Sequence, residues 1–107
     1  MKDKENLYID KAINKFNDND FKGAIKELNK VIEINPQNDV AYYKRGKTKR
    51  KLEDFAGAIN DYNKVLEINP DDKAAKISIQ IIQSILNRKN LDIYANTNTD
   101  EIENTEP

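Results

Sequence analysis

A run of basic residues is the feature of this sequence best suited to chemistry. It spans residues 44–51 and holds six cations in eight positions. Lys44, Lys47 and Lys51 are three and then four residues apart, so on a helix they share one face with Val40. Like charges on one face repel, and an anionic partner would relieve that repulsion. Three interpretations stay open: a solvated helix face, a site for an acidic peptide or protein, and a nucleic-acid site.

The residue types that most enzymes use are missing from the chain. Its 107 residues include no cysteine and no histidine, which excludes disulfides, thiol nucleophiles, Cys/His zinc sites and histidine bases. Serine occurs as Ser78 and Ser84, both within an apolar helical pattern that supplies no base. We therefore expect that the protein is not an enzyme and needs neither a metal nor a cofactor.

Charge is unevenly distributed along the chain. The net charge is −1, but all 18 Lys and Arg residues lie at or before Lys89. The segment 90–107 carries acidic groups without a cation and has few large apolar residues, so we expect an acidic, disordered tail. It either keeps the protein in solution without contacts or folds back onto the basic groove of its own chain, where the tether gives it a high effective concentration. In the second case Ile93, Tyr94 and Ile102 lie among the carboxylates that dock.

The composition favours one small, elongated helical domain. Charged residues make up 35% of the chain, against roughly 25% in an average globular domain, so much of each element must face water. The charged start lacks the apolar stretch of a secretory signal, and no apolar cluster approaches the roughly 18 residues of a membrane span. We expect a cytoplasmic protein that does not enter a membrane.

An internal repeat with a period of 34 residues organises the chain before the tail. Residues 20–36 and 54–70 are identical at 12 of 17 positions, which indicates a duplication. Apolar residues recur every three or four positions in each copy and predict an amphipathic helix, which an Asn-Pro pair then ends. A second helical segment precedes each copy. Each repeat is therefore predicted to be a pair of antiparallel helices.

Turn and packing residues recur at matching positions of the two copies. Asp20 and Asp54 follow the short polar turns and are placed to cap the second helix of each pair. Ala12 and Gly46 share one repeat position, where a small side chain lets two helix backbones approach closely. Both features predict how the helices of a pair are joined and packed.

The 34-residue unit resembles the tetratricopeptide repeat family, with units at about 5–38 and 39–72. The residues that carry the resemblance are Ala24, Leu28 and Pro36 in the first unit and Ala58, Tyr62 and Pro70 in the second. Tyr8 and Tyr42 replace the usual tryptophan. The resemblance implies an all-α fold, a right-handed superhelix of two helix-turn-helix repeats plus a closing helix. The domain would occupy residues 1–89.

The predicted closing helix, at about 72–89, is unusually apolar. Its apolar side chains span about 200° of the helix, whereas a stripe of somewhat over 100° is usual. Because stacks of this kind usually need three repeats, we consider a homo-oligomer formed through this helix as one alternative. The other is a cap with a slightly apolar surface.

The resemblance also implies a function. Stacks of this family look like scaffolds whose concave groove, lined by the first helix of each repeat, takes a peptide or a partner helix. Carried over position by position, the groove residues are Ile9, Ile13, Phe16, Val40, Tyr43, Lys44, Lys47, Arg50, Lys51, Ile77, Ile81 and Ile85. We predict a protein-interaction scaffold or adaptor for an acidic or mixed acidic and apolar segment. The alternatives are the homo-oligomer and weak nucleic-acid binding through residues 44–51.

Overall fold

The chain forms five helices in succession. The computed structural model describes the backbone of residues 2–105 and the side chains of residues 2–89. The helices are α1 (Lys2–Asn17), α2 (Phe21–Ile34), α3 (Asp39–Lys51), α4 (Phe55–Ile68) and α5 (Lys73–Thr105). No strand occurs within residues 2–105, and two helix pairs precede a last helix. The predicted all-α helical-repeat fold is thereby confirmed.

Equivalent aspartates begin the second helix of each pair. The Asp20 carboxylate accepts a hydrogen bond from the Gly23 backbone N–H at 2.9 Å, and Asp54 accepts one from Gly57 at 3.0 Å. Each bond satisfies a donor that the first turn of a helix leaves free, so the predicted caps are confirmed. A Cβ atom on either glycine would collide with the capping carboxylate. The tight cap therefore explains why both copies keep glycine.

The turns and helix ends also repeat. Asn19 and Glu53, the residues before the two caps, both adopt left-handed backbone with φ of 64° and 63°. Asn35 and Asn69 leave the helix at the ends of α2 and α4, and each donates its N–H to the carbonyl four residues earlier. The proline that follows each asparagine disfavours further helix, as the sequence predicted.

The core of each repeat is completed by the helix that follows it in the chain. Each helix packs against the one that follows it in the chain. The first cluster consists of Ile9, Ala12, Ala24, Leu28, Val31 and, from α3, Ala41. The second consists of Tyr42, Ala58, Tyr62, Val65 and, from α5, Ala75 and Ile82. A closing helix is needed because the second repeat has no following repeat to cover its apolar face.

Residue size is matched where the two helices of a pair cross. A Cβ atom on Gly46 would lie 3.1 to 3.2 Å from three ring carbons of Tyr62, so this glycine makes room for a side chain of the facing helix, and the close approach of two backbones stays a prediction. The first repeat has the larger Ala12 and the smaller Leu28 at these two positions, both buried in its core. Burial raises the pKa of Tyr62, and a hydrogen bond with Ser78 of α5 partly opposes that rise.

The last helix begins at Lys73, after an aspartate. Asp72 precedes α5, and its carboxylate accepts a hydrogen bond from the Ala75 N–H at 2.9 Å. The sequence predicted a helix ending near Lys89, and α5 spans Lys73–Thr105. The side chains of residues 90–107 lie outside the described part of the chain. The disorder and the self-docking predicted for this tail stay predictions.

Candidate binding groove

The basic run of α3 is divided between two sides of the helix. Arg45 donates two hydrogen bonds to the Asp61 carboxylate, from Nε at 2.9 Å and from Nη2 at 2.8 Å. Lys49 lies 3.2 Å from the same carboxylate, which is buried. The hydrogen bonds with Asp61 raise the pKa of Arg45. These two cations therefore join α3 to α4 and are not available to a partner.

Arg45 also joins the two repeats. Its Nη1 donates a hydrogen bond to the side-chain oxygen of Asn29 on α2, at 2.8 Å. One guanidinium thus bridges the second helix of the first repeat and both helices of the second. Such planar, bidentate bonding to a carboxylate is geometrically specific and suits arginine better than lysine.

Lys44 and Lys47 lie on the other side of α3, beside a cavity of about 110 Å³ between α1 and α3. The cavity is lined by Ala12, Ile13, Phe16, Asn17, Leu28, Lys44, Lys47 and Thr48. The Lys47 ammonium is 5.3 Å from the centre of the Phe16 ring, within the range of a cation–π contact. Within residues 2–89, neither lysine forms an ion pair with a carboxylate. This site, the α1–α3 cavity, combines a largely apolar lining with two lysines that form no ion pair within residues 2–89.

An apolar strip continues from α3 to α5. A second cavity of about 190 Å³ is lined by Asp39, Val40, Tyr43, Lys44, Asp72 and Ala74. Val40 is 47% exposed, and Ile77 and Ile81, three and seven residues after Ala74, are 54% and 44% exposed. Because residues at this spacing share one side of a helix, Ile77 and Ile81 extend the apolar surface that begins at Val40.

A third cavity, of about 270 Å³, lies at the corner formed by the α3–α4 turn and α5. It is lined by Arg50, Lys51, Glu53, Phe55, Ile85 and Lys89. We refer to it as the corner cavity. The Lys89 ammonium is 5.7 Å from the centre of the Phe55 ring.

The residues predicted for the groove are thus grouped by the structure. Ile13, Phe16, Lys44 and Lys47 come together at the α1–α3 cavity. Val40, Tyr43 and Lys44 share the second cavity, Ile77 and Ile81 are exposed on α5, and Arg50, Lys51 and Ile85 line the corner cavity. Ile9 differs from the rest, because it is part of the first core cluster and only 9% exposed. It therefore belongs to the core and not to the exposed surface of the groove.

Comparison with known families agrees with this architecture. A sequence model of the tetratricopeptide repeat matches residues 40–72, and a second, described as TPR repeat, matches residues 15–52. Together they cover residues 15–72, or 58 of the 107 positions. The chain belongs to the tetratricopeptide repeat family. None of the curated proteins matches it.

Tetratricopeptide repeats generally mediate protein–protein interactions, and proteins of the family are typically non-enzymatic scaffolds. No helix in the described part of this chain is long and apolar enough to cross a membrane. Among the same residues, no group of three or more acidic side chains is arranged to hold a metal ion.

Sequence reasoning missed the buried acids of the tetratricopeptide units. Glu27 occupies the same repeat position as Asp61, and its carboxylate lies 3.4 Å from the ammonium groups of Lys15 and Lys30. Lys15 is in turn equivalent to Lys49, so the acid–lysine pair is repeated. The sequence did contain a signal, because an acid of the second helix and a lysine of the first helix recur together in both units. The signal could be interpreted only once it was known how the two helices pack.

A third buried acid begins the first unit. Glu5 accepts hydrogen bonds from the side-chain amides of Asn35, at 3.0 Å, and Asn38, at 2.8 Å. These bonds lower the pKa of Glu5. They tie the first helix of the stack to the loop between α2 and α3, a link of about 30 residues along the chain that no local pattern reveals.

Proposed function

We propose that this protein binds a segment of a partner protein along the groove formed by α1, α3 and α5, and that the segment combines apolar and acidic side chains. The groove consists of the α1–α3 cavity and the apolar strip of Val40, Ile77 and Ile81. Family membership supports protein binding in general, and the choice of partner chemistry rests on the groove residues themselves.

The α1–α3 cavity is the observation that carries this proposal. An apolar side chain that enters it would contact Ile13, Phe16 and Leu28, and burial of a side chain of that size contributes roughly 1.5 to 3 kcal/mol. A carboxylate next to that side chain would lie beside Lys44 and Lys47, whose mutual repulsion it would reduce. The cavity therefore favours an apolar residue flanked by aspartate or glutamate.

The apolar strip gives the partner a second point of attachment. Val40, Ile77 and Ile81 are each about half exposed, and apolar side chains of a partner would remove that surface from water. Charge at one end of the groove and apolar surface at the other also defines a direction for the bound segment. The mechanism is thus selection by shape and charge, as expected of an adaptor.

Binding of short labelled peptides tests the proposal. One peptide carries phenylalanine and leucine flanked by aspartates, a second has lysine for each aspartate, and a third has serine for each apolar residue. We expect the first to bind measurably tighter than the other two in fluorescence anisotropy. The Lys44→Glu/Lys47→Glu variant should bind it about tenfold more weakly, because two favourable charges are reversed.

A matched control separates the groove from overall charge. Lys22 and Lys26 are both exposed on α2, four residues apart, so Lys22→Glu/Lys26→Glu makes the same charge change away from the groove. Affinity close to wild type is expected for this control. Equal weakening in both double variants would contradict the proposal. Tighter binding of a single-stranded oligonucleotide, with a steep salt dependence, would favour the nucleic-acid alternative instead.

A further inference from the structure

The corner cavity differs from the equivalent place in the first repeat. There the Phe16 ring packs edge-on against Phe21, with ring centres 5.2 Å apart. Arg50 replaces Phe16 in the second repeat, opposite Phe55, the equivalent of Phe21. The second repeat therefore has a single half-buried ring in place of the aromatic pair, and an arginine occupies the sequence position of the second ring.

Positive charge is concentrated around that ring. Arg50, Lys51 and Lys89 line the corner cavity, against a single carboxylate, that of Glu53. None of the four takes part in an ion pair within the part of the chain described by the structure. The cavity thus carries a net charge of about +2 beside an aromatic face.

We propose that the corner cavity binds an aryl phosphate, the group that a phosphotyrosine side chain of a partner peptide carries. A phosphate monoester carries a charge of about −1.5 to −2 near neutral pH, which matches the charge of the cavity better than one carboxylate does. Arginine can bond phosphate oxygens in a bidentate manner, and Arg50 is one of the residues that line the cavity.

The aryl ring of the ligand is proposed to pack against the ring of Phe55. An aryl ring on this side chain restores the ring-to-ring contact that Phe16 and Phe21 make in the first repeat. Ile85 supplies further apolar lining from α5. The site is distinct from the α1–α3 cavity, so that either proposal can fail without the other.

Small-molecule titration of the full chain tests this site. Phenyl phosphate, inorganic phosphate and benzyl alcohol are each added to isotope-labelled protein at constant ionic strength, and NMR shifts are followed. We expect saturable shifts at residues 50–55 and 85–89 with phenyl phosphate, and binding at least fivefold weaker for inorganic phosphate and for benzyl alcohol. Adenosine monophosphate tests whether another phosphate monoester serves equally well.

Two variants and a control decide the outcome. Lys89→Gln removes an exposed cation of the cavity and should weaken the binding of phenyl phosphate several-fold. Lys26→Gln removes an exposed cation of α2 and should leave that binding unchanged. Phe55→Leu keeps an apolar side chain but removes the ring, so the affinity of this variant for phenyl phosphate should fall to its affinity for inorganic phosphate. Equal effects of the two lysine variants, equal affinity for both phosphates in the wild type, or preference for adenosine monophosphate would overturn the proposal.

Discussion

Asp61 is the buried carboxylate on which the second repeat depends. It is 3% exposed and pairs with both Arg45 and Lys49. Removing one partner of a buried ion pair leaves the other charge without compensation. We therefore expect Asp61→Asn to lower the free energy of unfolding by about 3 kcal/mol in urea denaturation.

An exposed acid provides the comparison for this prediction. Glu67 pairs with Lys64 at 3.4 Å on the surface of α4. Exposed pairs contribute little, so Glu67→Gln should cost less than about 0.5 kcal/mol. Similar losses in the two variants would show that Asp61 has no special role in stability.

Glu5 and Glu27 make the fold sensitive to acid. Hydrogen bonds from Asn35 and Asn38 lower the pKa of Glu5 below 4.5. For Glu27, burial raises the pKa, but hydrogen bonds and charges from Lys30 and Lys15 outweigh it and lower the pKa overall. A group whose pKa is lower in the folded chain stabilises it above the unfolded pKa, and this contribution is lost as the pH falls through the folded value.

We accordingly expect the melting temperature to decrease as the pH falls below about 4.5. The Glu5→Gln variant should show a shallower decrease, because it lacks one of the two groups responsible. Circular dichroism melts over a pH series measure both slopes. Glu33, an exposed acid of α2, serves as the control in Glu33→Gln, and a Glu5→Gln slope equal to wild type would refute the assignment.

Between elements, the crossing of α3 and α4 depends on the pairing of Gly46 with Tyr62. Alanine at residue 46 would place a Cβ atom 3.1 Å from the Tyr62 ring, and such overpacking costs about 1 to 3 kcal/mol. The first repeat accommodates alanine there with Leu28 in place of the tyrosine. We expect Gly46→Ala/Tyr62→Leu to be less destabilised than the sum of its single variants by about 1 kcal/mol, measured by a double-mutant cycle. If the free-energy changes of the two single variants simply add in the double variant, residues 46 and 62 are not coupled and the prediction is wrong.

The α1–α2 and α3–α4 turns have different residues at the same left-handed position, and each residue can be substituted by the other. Glu53 holds a left-handed conformation that asparagine, the residue at the equivalent Asn19, adopts more readily. We expect Glu53→Asn to stabilise the chain by about 0.5 kcal/mol and Asn19→Glu to destabilise it by a similar amount. Chemical denaturation of both variants tests the pair. The same sign of change in both would exclude backbone conformation as the cause.

The positions of the helices could be predicted from the sequence, whereas the composition of the binding site could be predicted only in part. The 34-residue period, the Asn-Pro ends and the capping aspartates locate the helices because these signals are local. No local signal shows which cations of residues 44–51 face the groove and which pair with α4. Arg45 and Lys49 resemble Lys44 and Lys47 as residue types, and only the position of Asp61 on a different helix separates the structural cations from those of the groove.

At the scale of the whole molecule, the outer side of α5 terminates the stack. Lys76, Gln80 and Gln83 are exposed at the positions where α3 has Tyr42, Gly46 and Lys49 packed against α4. A polar surface there disfavours stacking of a second copy end to end. The exposed Ile77 and Ile81 alone give far less than the roughly 800 Å² per partner of a standard interface.

We therefore expect a monomer whose mass in analytical ultracentrifugation does not change with concentration. A dimer that Ile77→Lys/Ile81→Lys abolishes would support the homo-oligomer alternative. A dimer unaffected by that variant would place the contact elsewhere. Deleting residues 90–107 in the same experiment tests whether the acidic tail contributes.

The bridge from Arg45 to Asn29 shows how the molecule could be lengthened. Asn63 is the equivalent of Asn29 and is exposed, but the position that would face it holds Ile79 instead of arginine. A duplicate of residues 39–72 inserted after Asp72 would bring a new arginine opposite Asn63 and a new acid to accompany it. The second unit thus carries both halves of the joint, the arginine with its acid and the asparagine, so a gene encoding this stack can gain a copy of that unit in one step, with its junction already specified.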